Sequence, residues 1–327
     1  MASWGPVDPR NRAPDEIAWS DSALSVPPEA ETETASQVFD DDPPRPGVIL
    51  PLCLFALTVF TTLWAGAYQT STNPRLGPVD FLAQDPWALL RGLPFAATLL
   101  LILVTHECGH FLLSRIHRVP ATLPLFIPGP PHFIGTFGAI IRMRPILNRK
   151  ALFDIGVAGP IAGFVVAVGA MGVGLALSTV TSRDSTYGLQ LGEPLLLQFM
   201  SWLVIGPIPE RADILLHPIA FAAWFGLFVT SLNLIPIGQL DGGHVAYALW
   251  GRHQRNIALI AVPILLVLGF VGWPGWFLWV GMASLLGVSH PPIIDPHQDL
   301  GRVRIWIGWA AFAIFVLSFA PIPFSIG

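Results

Sequence analysis

The sequence predicts an all-α polytopic membrane protein, with about six to seven transmembrane helices and one short, membrane-associated β-like loop. Three observations carry that expectation. Of 327 residues, 53% are hydrophobic and only 12% are charged, with mean hydropathy +0.62, whereas a water-soluble domain carries about 25% charge. From Val48 onward the chain is a series of apolar stretches, each near the ~20 residues that cross a bilayer. Lys and Arg gather in some of the short loops between those stretches and not in others, as they do in multi-pass proteins. The net charge of −4 removes the basic face that a nucleic-acid partner would favour, so no nucleic-acid partner is expected.

Taken in order, residues 1–47 hold ten Asp or Glu and three Arg among many Pro and Ser, without apolar periodicity. Such a stretch reads as a disordered acidic tail. It lacks the basic start and early apolar run of a signal peptide. The remainder, 48–327, reads as one transmembrane domain. Spans are expected at about 48–69, 93–116, 152–178, 214–236, 257–272, 274–288 and 305–323, the 257–288 region being punctuated by Pro263 and Trp273–Pro274–Gly275. Residues 119–146 are apolar yet broken by Pro and Gly, and 133–141 alternate as a short strand or hairpin does. Irregular backbone at membrane depth survives only where protein or a water-filled cavity satisfies it, so this loop is expected to line a cavity. Trp273, Trp276 and Trp279 fit an interfacial belt. Cys53 and Cys108, two isolated thiols in apolar runs, read as small buried hydrophobes.

Arg118, Arg142, Arg144, Arg149 and Lys150 share the 117–150 connection with no acidic residue, and Arg252, Arg255, Arg302 and Arg304 follow in later loops. With seven spans these groups fall on one side, with the amino-terminal tail. That agreement places these loops and the tail in the cytoplasm or an equivalent compartment.

His106–Glu107–Cys108–Gly109–His110 fits the pattern H-E-x-x-H inside the second apolar stretch. On a helix, positions i and i+4 share a face, so both imidazoles can bind one metal ion, with the Glu as general base. Placing ionisable side chains inside a bilayer costs about 2.5–3.5 kcal/mol for Asp at mid-helix, which argues against a decorative role. A catalytic zinc site of this type takes a third protein ligand and leaves a fourth position open. The segment from Asn233 to His244 offers Asp241, which equally suits the N-cap of a following helix. His244 suits either a partner of that site or plain packing. Gly159 and Gly163 form a small-xxx-small pair that allows close helix packing.

Together, His106–Glu107–Cys108–Gly109–His110 and Asn233–Leu234–Ile235–Pro236 with Leu240–Asp241–Gly242 resemble the site-2 protease family of intramembrane metallopeptidases. Ile134–Ala139 and Ala158–Gly163 resemble further blocks of that family, and Gln239–His244 is similar to the form found in its bacterial and chloroplast members. The resemblance covers about residues 90–255, and with it the expected setting is a bacterial plasma membrane, the active site lying toward the cytoplasmic side. It implies one zinc ion per chain held by His106, His110 and Asp241, with Glu107 as catalytic base. It also implies that Asn233 hydrogen-bonds to substrate backbone or oxyanion, and that 133–141 present substrate in extended form. The implied partners are the lipid bilayer and transmembrane protein substrates, cut in regulated intramembrane proteolysis; oligomeric state is left open. Residues 179–213 are too few for a PDZ-like insertion. Two rivals are a metal-ion transporter, which needs a ladder of ligands that the sequence does not offer, and a silent relative, which should lack the base or a ligand.

Overall fold

The computed structural model describes residues 47–70, 79–80, 83, 85–131, 133–146, 148–182, 189–209, 212–296 and 298–326. Apart from Gly47, the tail expected over 1–47 lies outside them, as does His132. The described chain is mostly helical, as expected. Its helices are α1 (Ile49–Gln69), α2 (Leu93–Ile116), α3 (Arg149–Ala176), α4 (Leu195–Val204), α5 (Pro218–Asn233), α6 (Asp241–Trp250), α7 (Gln254–Val271), α8 (Trp276–Leu286) and α9 (Gly301–Ser318). Among the described residues, five helical runs are long and apolar enough to cross a membrane: α1, Trp87–Ile116, α3, Asp241–Val271 and α9.

Local chemistry sets where these helices begin. The Asp85 carboxylate accepts from the Trp87 N–H and starts a 3₁₀ turn, Pro86–Gly92, that runs into α2 with Pro94 in its first turn. Asn148 caps α3 by accepting from the Ala151 N–H at 2.8 Å, the usual service of an N-cap Asn to otherwise unpaired donors. His217 does the same for α5 through the Ile219 N–H, with Pro218 at the first helical position. Pro160 stays inside α3, which membrane helices tolerate when neighbours satisfy the freed backbone.

Helices α2, α3 and α5 pack along one another as the centre of the fold. Phe95, Leu99, Ile102, Met171, Trp224 and Leu227 fill that centre. Large apolar side chains on α7 and α9, including Phe270, Val303 and Trp306, face outward, as a lipid-facing surface requires. Cys53 and Cys108 also lie on the outer surface. They are therefore not core residues, and the expectation of burial fails because an apolar span buries only one stripe against protein.

The apolar loop after α2 forms an antiparallel hairpin of β1 (Leu125–Pro128) and β2 (Thr136–Ile140), with Phe126 opposite Ala139 and an irregularity between Ile127 and Pro128. It lies against α1: Phe126 packs edge-on to Phe55, the Thr61 hydroxyl donates to the Gly135 carbonyl at 2.6 Å, and the Gln69 amide donates to the Phe133 carbonyl. These bonds supply the partners that irregular backbone needs at such depth.

Three expectations change. Residues 179–213, read as a plain loop, contain β3 (Thr179–Ser182), β4 (Leu189–Leu191), α4 and the start of β5 (Ala212–Leu215). β3 pairs with β5, and β4 pairs with β6 (Phe324–Ile326). The span expected to end at 236 stops at Asn233, because Pro236 cannot continue it. Trp276 is fully buried and its indole N–H donates to the Pro321 carbonyl at 2.8 Å, so it is a core residue and not part of an interfacial belt.

Candidate metal centre

His106 and His110 lie one turn apart on α2 and both are buried. The His110 Nδ1–H donates to the Ile155 carbonyl of α3 at 2.8 Å. A carbonyl can only accept, so this bond fixes the tautomer and turns the Nε2 lone pair away from it, the arrangement a metal-binding imidazole needs. The rings fit because α3 presents glycines to them. A Cβ at Gly159 would lie 2.1 Å from His110 Nε2, and one at Gly163 would lie 3.1 Å from the His106 Cβ. The pair does serve close helix packing, as expected, and it also makes room for both imidazoles.

Asp241 reaches the same point from the other side. After α5 ends at Asn233, the chain turns through Pro236 and Gly238, which has φ +53°, a conformation favoured by Gly. It then starts α6 with Leu240 as N-cap and Asp241 as the first helical residue. The N-cap alternative for Asp241 is thereby excluded. Gly242 lets this turn close, since a Cβ there would lie 2.0 Å from the Leu234 carbonyl oxygen.

Three atoms converge. Asp241 Oδ2 lies 3.4 Å from His106 Nε2 and 3.3 Å from His110 Nε2, and the two Nε2 atoms are 3.1 Å apart. Tetrahedral zinc with bonds near 2.0–2.2 Å holds its ligand atoms about 3.3–3.5 Å from one another. The donor set therefore fits one zinc ion, and among the described residues it is the group able to hold a metal. Glu107, next to His106, is 8% exposed. The Asn233 side-chain amide stands 3.3 Å from His106 Nε2.

Not every residue singled out joins the cluster. His244, one turn after Asp241, is engaged by His290 at 2.8 Å. His117 meets Asp154 at 2.9 Å, and Arg304 grips the same carboxylate through two nitrogens at 2.7 and 2.8 Å. This tie joins the end of α2 to α3 and α9. It was missed in the sequence, although Asp154, an ionisable residue in an apolar stretch, is the kind of signal that could have found it.

Residues 94–271 match Peptidase family M50. The chain is 31% identical over 295 residues to "Probable zinc metalloprotease EGY1, chloroplastic" of Oryza sativa subsp. japonica, covering 84% of this chain and 50% of that protein. The protein of the same name from Arabidopsis thaliana is 32% identical, with 84% and 53% covered. "Probable zinc metalloprotease EGY2, chloroplastic" of Arabidopsis thaliana is 33% identical over 250 residues, with 74% and 44% covered. The chain thus spans about half the length of the curated relatives it matches. No solved structure matches it at a significant level. These relatives overturn the expected bacterial plasma membrane, because their names place them in the chloroplast. The physical reason is that Lys and Arg in the loops report which side of a bilayer they occupy, not which bilayer it is.

Proposed function

The chain belongs to Peptidase family M50, the site-2 protease family, and from that premise we propose that it is a zinc metalloendopeptidase that hydrolyses peptide bonds within or near transmembrane segments, in regulated intramembrane proteolysis. The observation that carries this reading is the convergence of His106, His110 and Asp241 at separations suited to one zinc ion, beside Glu107 in the interior of an apolar span.

His106, His110 and Asp241 would hold the zinc ion, which would supply Lewis acidity and lower the pKa of water toward 7. Glu107 then serves as the general base, taking a proton from the attacking water and returning it to the leaving amine. The Asn233 amide, beside the metal cluster, donates to the oxygen on which charge develops; losing one such donor typically costs about 10²–10³ in kcat. His244 supports the site through the helix that carries Asp241. Substrate enters in extended form against β2, which has β1 on one edge and carries the exposed side chain of Phe137. Main-chain hydrogen bonds along an open strand edge bind a peptide of varied sequence, and the added strand also satisfies the backbone that unwinding a substrate helix exposes.

The test compares the unmodified protein with Glu107→Gln and His110→Ala, purified in detergent, for bound zinc and for cleavage of a transmembrane model substrate. One zinc and cleavage are expected of the unmodified protein. Glu107→Gln should keep the metal and lose at least about 10²–10⁴ in rate, and His110→Ala should lose both. A folded, unmodified protein that holds no zinc sinks the reading.

A further inference from the structure

Asp241 opens α6, the ten-residue first part of the helical run Asp241–Val271, and its first turn is fixed by contacts on two sides. On one side it rests on α3, where a Cβ at Gly156 would lie 2.8 Å from the His244 Cβ. On the other side stands the segment after α8, outside the residues 94–271 that match the family. There the Gly238 N–H donates to the Val288 carbonyl at 3.0 Å. The buried Gln254 amide donates to the carbonyls of Pro236 and Val288, each at 3.2 Å. The His290 N–H donates back to Gln254 Oε1 at 3.0 Å. The turn that delivers Asp241 and the segment 287–290 therefore share one hydrogen-bonded frame.

The His290 ring is the part of this frame that reaches α6. Its Nδ1–H donates to the Pro291 carbonyl at 2.6 Å, which can only accept, and its face stacks on Tyr247 with centroids 4.5 Å apart. Burial lowers its pKa, favouring the neutral ring. With Nδ1 protonated, Nε2 carries the lone pair and accepts from the His244 Nδ1–H at 2.8 Å. His244 is three residues from Asp241, on the same helix face.

We infer that His290 is a positioning residue for the third metal ligand: its Nε2 lone pair holds His244 in the Nδ1–H form and sets the first turn of α6, so that the Asp241 carboxylate meets both imidazoles. This rests on the zinc protease reading above. Partners standing behind metal ligands in this way typically change metal affinity or activity by 10–100-fold when removed.

The experiment uses the full chain in detergent with His290→Phe and His290→Gln. The Phe ring keeps the stacking on Tyr247 and removes the acceptor, whereas the Gln side chain restores an acceptor oxygen at the position of Nε2. Zinc affinity is measured by chelator competition, and the ligand field by the visible spectrum of the cobalt-loaded protein. His290→Phe is expected to weaken zinc binding by about 10–100-fold and to shift the cobalt bands, and His290→Gln to recover most of both. An unaltered His290→Phe overturns the inference. So does a His290→Gln variant as weak as His290→Phe, because ring packing would then explain the loss. A further readout needs no variant: ¹⁵N-histidine NMR of the unmodified protein should show His244 as the Nδ1–H tautomer, and the Nε2–H tautomer would overturn the inference. An unmodified protein that binds no zinc removes the protease reading and this role with it. One that binds zinc while His290→Phe changes nothing removes this role alone.

Discussion

The two arms of the metal cluster are built differently. His106 and His110 share one continuous helix, α2, whose own geometry brings them to one face. Asp241 opens α6 after a broken segment that follows α5, held by Gly242 against Leu234 and by hydrogen bonds among residues 236, 238, 254, 288 and 290. The first arm needs only a helix and clearance from α3. The second needs several distant parts of the chain in register. Local geometry is therefore robust in the histidine arm, whereas the aspartate arm is set by contacts that each fix it only in part.

That contrast can be broken most forcefully at Gly159. A methyl group there meets His110 Nε2, so Gly159→Ala should displace the ring, abolish zinc binding in a folded protein and lower cleavage by more than about 10²-fold. Metal analysis alongside helical circular dichroism checks it, and a zinc-replete variant would show that α2 and α3 can part at little cost. A smaller effect is expected at Gly242, where a methyl group meets the Leu234 carbonyl. Gly242→Ala should leave both imidazoles in place and weaken zinc binding by about 10–100-fold, as read by chelator competition. Equal losses at the two glycines would erase the distinction between the arms.

The smallest effect is expected at the far end of α6. Arg149 donates to the carbonyls of Ala248, Leu249 and Gln298, tying the end of that helix to the start of α3. Arg149→Met should lower stability by about 1–3 kcal/mol, the cost of leaving acceptors unpaired, while zinc content stays unchanged. Thermal unfolding in detergent measures the first and metal analysis the second. Zinc loss in that variant would mean that both ends of α6 set Asp241.

Sequence legibility followed the same division. The spans near 48–69 and 93–116 were readable because long apolar runs have few alternatives, and the structure places helices there at Ile49–Gln69 and Leu93–Ile116. Helix α4 and the strands around it were not readable, since short apolar pieces do not distinguish helix from strand by periodicity. The structure decided whether Asp241 capped a helix or joined the imidazoles. The role of His290 had no signal at all, because it depends on a neighbour 46 residues earlier.

What the sequence by itself determined was the class of protein, the pairing of His106 with His110 and the chemistry their setting invites. Those follow from composition and from a period of 3.6 residues, both local properties of the chain. Only the tertiary structure decided where Asp241 stands, why glycines face the two imidazoles and which distant segment braces α6. Each of these depends on non-local approaches between backbones, fixed by the close packing of whole helices, and no stretch of sequence carries such an approach alone.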